Sequence, residues 1–112
     1  MINVSAELKA DHLLFECSGH ADYAEYGKDI VCAGVSSLCM ALEAIVSVLL
    51  ECGYQFSIKR KTVKKGFLLF EIDLDPYSLD AHTVPVAFET VLCGMKAIEK
   101  HHPENITVKI KT

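Results

Sequence analysis

Residues Ile30 to Leu50 read IVCAGVSSLCMALEAIVSVLL, a run in which Glu43 is the one charge. The run is about as long as a bilayer span. Gly34, Ser36, Ser37 and Ser47 interrupt it, however, and no cluster of basic anchors flanks it. It predicts a central core helix from about Ile30 to Cys52, buried on most of its circumference, in part by a second subunit. No membrane is expected. Gly53 stands where a left-handed C′ residue ends a helix.

Outward from that helix the pattern changes to a period of two. Ile2, Val4, Ala6 and Leu8 alternate with polar or small residues, and Leu13 to Cys17 follows the short turn Ala10-Asp11-His12, which reads as a hairpin. A second hairpin is expected from Gln55–Lys61 and Phe67–Leu74, turning around Lys64-Lys65-Gly66. Asp75-Pro76-Tyr77-Ser78 makes the next turn. Val84, Phe88, Val91, Met95 and Ile98 recur near helical spacing within Asp80–Lys100, and Ile106, Val108 and Ile110 alternate at the end. The order is ββαββαβ, which implies an α+β fold with an antiparallel or mixed sheet and two helices.

At 112 residues the chain is read as a single domain, 1–112. A net charge of −4 argues against non-specific nucleic-acid binding. The basic run Lys59-Arg60-Lys61 with Lys64-Lys65 reads as a solvated face around a turn. Five cysteines at irregular spacing, with no secretory leader and no C-x-x-C pair, point to reduced thiols in the cytosol, and to neither a disulfide scaffold nor a metal site. Cys39 and Cys93 lie on apolar helical spacing and read as core.

The break in pattern is Ser18 to Asp29, where Gly19 and Gly27 bracket His20, Asp22, Tyr23, Glu25 and Tyr26. A loop of that length is functional more often than not. His20 precedes Cys32 by twelve positions. With Asp29 as N-cap, Cys32 falls in the first helical turn, where the positive helix end favours a thiolate. His20 can then accept the thiol proton and later protonate a leaving amine. The amides of the small residues Ala33 and Gly34 are candidates for receiving an oxyanion. Asp29 is first a cap and second a third site member. Ser36 and Ser37 either line a groove or bond back to the helix, and Tyr23 and Tyr26 either wall a peptide groove or cap the core.

Gly19-His20-Ala21 followed by Gly27-Lys28-Asp29-Ile30-Val31-Cys32-Ala33-Gly34-Val35-Ser36 closely resembles the signature of the ribosomal-processing cysteine protease family. The resemblance covers essentially the whole chain. It implies a homodimeric endopeptidase without cofactor or metal, which removes the N-terminal extension of the precursor of large-subunit ribosomal protein twenty-seven after an aromatic residue. It also implies Cys32 as nucleophile and His20 as base, with Gly19 as a loop hinge and Asp29 and Ser36 in support. Two other readings stand beside it. A binding module would capture a ribosomal partner with an unreactive Cys32, and a redox sensor would cycle Cys32 between oxidation states.

Overall fold

The computed structural model describes residues 1–19 and 28–112, and of Lys28 and Asp29 the backbone alone. The elements are β1 (Ile2–Leu8), β2 (His12–Ser18), α1 (Lys28–Glu51), β3 (Ser57–Lys64), β4 (Phe67–Asp73), α2 (Thr83–His101) and β5 (Ile106–Lys111). This is the expected ββαββαβ order. The five strands form one mixed sheet, β3-β4-β2-β1-β5, in which β1 and β5 run parallel and the other neighbours antiparallel.

Strand alternation decides which face of the sheet is buried. Phe70, Phe15, Ala6 and Ile110 are register partners on four neighbouring strands, and Leu68, Cys17, Val4 and Val108 form the next such row. These rows face the helices. Phe88 of α2 packs edge-on against Phe15 and Phe70, with ring centroids 6.2 and 6.4 Å away. Val31, Val35, Leu42, Val46 and Leu49 bury one stripe of α1 in the same core. The two helices approach closely because Gly34 faces Ile98 and Gly94 faces Leu38.

Helix α2 starts at Thr83 rather than Asp80. A start at Asp80 would carry Pro85 beyond the first turn, where its missing N–H and its ring oppose the ladder. From Thr83 it sits within the first turn and is tolerated. At the other end of α1 the cap is the expected one. Gly53 has φ +86°, its N–H donates to Leu50 O at 3.1 Å, and the Tyr54 N–H donates to Leu49 O at 3.0 Å. That pair of bonds is the Schellman arrangement.

Two expectations are corrected. Helix α1 is buried along one stripe and not on most of its circumference. Ile30, Met40, Val48 and Leu50 are 60, 68, 48 and 43 % exposed. A single sheet can cover only one side of a helix, so the outer side of this apolar run stays open within one chain. Cys93 is exposed rather than core, because it lies off the Val84–Phe88–Val91–Met95 stripe of α2. The basic run behaves as a solvated face: Lys59, Arg60 and Lys61 pair with Asp73, Glu71 and Glu43 at 3.3, 2.6 and 3.6 Å.

Candidate active site

The site is built where β2 ends. Gly19 has φ +94°, a conformation that L side chains rarely adopt. A Cβ there would run into the carbonyl oxygen of Met1, and the Gly19 N–H donates to Gly66 O at 2.9 Å. Two backbone segments, the start of β1 and the β3–β4 turn, thus pin this corner of the sheet.

Above the corner passes the N-terminal half of α1. Cys32, Val35, Ser36, Cys39 and Glu43 follow the 3, 4 and 7 spacing of one helical face, and all of them line a cavity of about 400 Å³. Its floor is Ile2 and Cys17 from the sheet, and its far wall is the β3–β4 hairpin from Val63 to Leu68. Val35, Leu68, Ile2 and Cys17 make most of the inner surface apolar, while Ser36, Glu43, Lys64 and Lys65 provide polar groups. A half-buried thiol at the edge of an apolar cavity is placed to meet a chain whose hydrophobic side chain fills that cavity.

The site residues read from the sequence separate into three groups. Cys32, Ser36 and Gly19 line the cavity together. Ala33 and Gly34 do not. The Ala33 carbonyl accepts the Ser37 hydroxyl at 2.8 Å, so Ser37 is the back-bonded serine of the pair, and Gly34 faces Ile98 on the α2 side. Because α1 starts at Lys28, the amides of Ala33 and Gly34 belong to the helical ladder, and the N–H groups without a helical acceptor lie ahead of Val31. For the same reason Asp29 lies within the helix instead of capping it, and Cys32 is its fifth residue, at the start of the second turn. No proline or glycine separates Lys28 from Cys32 to hold the ladder back. The third group is His20, which lies outside the described residues with Tyr23 and Tyr26.

The sequence reading passed over the hairpin wall and the pairing of Cys39 with Cys17. Val63, Phe67 and Leu68 reach the site only through the β2–β4 pairing, which places Cys17 opposite Leu68 and Ser18 opposite Phe67. No local pattern announces that pairing. For Cys39 a signal was present: it lies seven residues, two helical turns, after Cys32 and therefore on the same face.

A side-chain hydrogen bond joins Cys17 and Cys39. It draws the Cys17 thiol below the usual thiol range, against an opposing effect of burial. The same bond, together with burial, pushes the Cys39 thiol far up. Among the described residues, no cluster of three or more His, Cys, Asp or Glu side chains could hold a metal ion.

Comparison with known proteins gives one consistent result. The model of a family described as cysteine protease Prp matches residues 1–107. The ribosomal processing cysteine protease Prp of Bacillus subtilis is 29 % identical, with 94 % of this chain and 95 % of the relative covered. Among solved structures, the SMU.848 protein of Streptococcus mutans superposes with a TM-score of 0.68 at 32 % identity, covering 100 % of this chain and 95 % of the other. The Prp protease of S. aureus in complex with a substrate peptide gives 0.66 at 26 % identity, covering 99 % of this chain and 100 % of the other. The same protease with a covalently linked product peptide gives 0.63 at 28 %, with 99 % and 100 % covered.

Proposed function

The chain belongs to the cysteine protease Prp family and is a cysteine protease, and from this premise we propose that it removes the N-terminal extension of the precursor of large-subunit ribosomal protein twenty-seven. The observation that carries the reading is the half-buried Cys32 at the edge of an apolar cavity of about 400 Å³. In this reading the cavity takes the aromatic residue before the cut, and the scissile carbonyl lies over Cys32.

The chemistry follows from the residues. His20 takes the Cys32 proton, and the sulfur attacks the peptide carbon to give a tetrahedral oxyanion. Free amides of the first turn of α1 stabilise that charge. The imidazolium returns the proton to the leaving amine, leaving a thioester. The shortened protein departs with that amine, and water, deprotonated by His20, then hydrolyses the thioester and releases the N-terminal extension. Asp29 supports the charge distribution at the helix start, Ser36 positions the peptide at the rim, and Gly19 fixes the point from which the His20 segment departs. No cofactor or metal enters the cycle.

Two copies of the chain, joined through the outer face of α1, form the working unit in the cytoplasm. Exposed Ile30 and Val48, about five turns apart on one side of α1 and clear of the cavity, support a dimer. Although α1 is long and apolar enough to cross a bilayer, with a mean hydropathy of 2.0 over its most apolar stretch, its other face is the wall of the core, with Leu42 and Val46 at 0 and 1 % exposure. Direct nucleic-acid contact is not part of the proposal, since the ion pairs of Lys59, Arg60 and Lys61 already engage most of the basic run.

The test is to incubate the protein with the precursor and follow it by mass spectrometry. A single cut by the wild type is expected, reduced at least about a thousand-fold by Cys32→Ala and by His20→Ala. An intact precursor that is bound but never cut would support capture rather than processing.

A further inference from the structure

Two thiols besides Cys32 face the same cavity. Cys17, at 5 % exposure, rises from β2, and the half-buried Cys39 descends from α1. They meet across the helix–sheet interface, side chain to side chain. Cys39 is two helical turns along from Cys32 and therefore too far away on the same rod to bond it. The sulfur within its reach is Cys17.

The pair is asymmetric. Cys17 is almost fully buried, whereas Cys39 is half-buried. Both border open space that a small solute can enter. Two sulfurs that serve only as packing have no need of such a lining, and buried thiols closed off from solvent are inert.

We propose that Cys17 and Cys39 are an oxidative modification site, joined as a reversible disulfide by a small hydroperoxide, and that the bond narrows the cavity beside Cys32. The Cys17 sulfur attacks one peroxide oxygen, the O–O bond breaks, and a sulfenic acid and one water (or alcohol) result. The Cys39 sulfur then attacks the Cys17 sulfur, the S–O bond breaks, and a second water leaves with the Cys39 proton. Two thiols are oxidised and one peroxide is reduced. Bonding shortens the sulfur separation to about 2.05 Å, so the turn of α1 carrying Cys39 is drawn toward β2 and the cavity loses room at its inner end. The narrowing matters for activity only if the cavity is the substrate site, and in that respect the inference rests on the proposed function.

The experiment uses full-length protein carrying Cys32→Ala, Cys52→Ser and Cys93→Ser, so that this pair alone remains. After hydrogen peroxide treatment the expected mass change is a loss of about 2 Da with no thiol left to alkylate, and dithiothreitol reverses both. A fluorescent peptide carrying the precursor's N-terminal extension should bind the oxidised form at least about ten-fold more weakly than the reduced form. Adding Cys39→Ala, or Cys17→Ser should the first fail to fold, should leave affinity unchanged by peroxide. Two alkylatable thiols after oxidation would overturn the site. A cross-linked protein that binds the peptide as tightly as before would overturn the narrowing. A reduced protein that does not bind the peptide would count against the proposed substrate and remove the narrowing with it, while the mass measurement still decides the bond.

Discussion

Gly19 carries two constraints at once, a positive φ and a backbone oxygen in the place of a side chain. Replacing it with alanine leaves no cheap escape, because the obstructing atom is the Met1 carbonyl and not the end of a flexible side chain. Gly19→Ala should destabilise the fold by about 2 kcal/mol, read from the midpoint of urea unfolding. Its peptide turnover should fall as well, because the same residue lines the cavity. A variant with wild-type stability would show that the corner relaxes freely. At this scale the sequence was readable where chemistry singles a residue out. Cys32 follows a broken pattern and opens an apolar run, and it does reach a cavity. The sequence was unreadable where a residue's partner comes from elsewhere in the chain. Cys39 and Cys93 looked alike as thiols among apolar neighbours, yet one faces the sheet and the other solvent. Only the docking of each helix separates them.

Helix α1 illustrates the same division among elements. Its existence and its end were legible, the first from twenty or so apolar residues and the second from Gly53. Gly53→Ala should cost about 1 kcal/mol, measured by thermal melting, because the left-handed cap then carries a Cβ. Open space surrounds that Cβ, so steric crowding adds nothing to the cost. How much of the helix is covered was not legible, since it depends on what lies opposite each stripe.

The sheet's open face supplies a second prediction among elements. Arg60 Nε donates to Glu71 Oε1 at 2.6 Å, and His12 Nε2 lies 2.8 Å from Glu71 Oε2. The Arg60 hydrogen bond first, and the His12 contact second, hold the Glu71 carboxyl below the ordinary carboxylate range. A lowered folded value contributes stability that is fully present above the unfolded value of about 4.3 and is lost as pH falls through the folded value. Melting temperature should therefore drop below about pH 4, and Glu71→Gln should flatten that part of the curve. An unchanged acid limb in the variant would show that other carboxylates carry it.

For the molecule as a whole, the exposed outer face of α1 sets the expected assembly. Sedimentation velocity should give twice the chain mass of 12.4 kDa for the wild type and a single-chain mass for Val48→Glu, which places a charge on the open stripe away from the cavity. A wild-type monomer would leave the apolar face without its proposed partner.

The parallel pairing of β1 with β5 has a kinetic side. Ile2 lies opposite Ile106 and Glu7 opposite Lys111, so β1 waits for a strand about a hundred residues later in the chain. The hairpins β1–β2 and β3–β4 close over short distances and can form early, whereas this seam closes a loop of about a hundred residues and forms late. Until it does, β1 is an unguarded edge, and Ile2, a wall of the cavity, is held from one side only. Maturation of the site is thereby tied to the arrival of β5: a chain that stops short of it has Cys32 in place but an unfinished floor beneath its substrate.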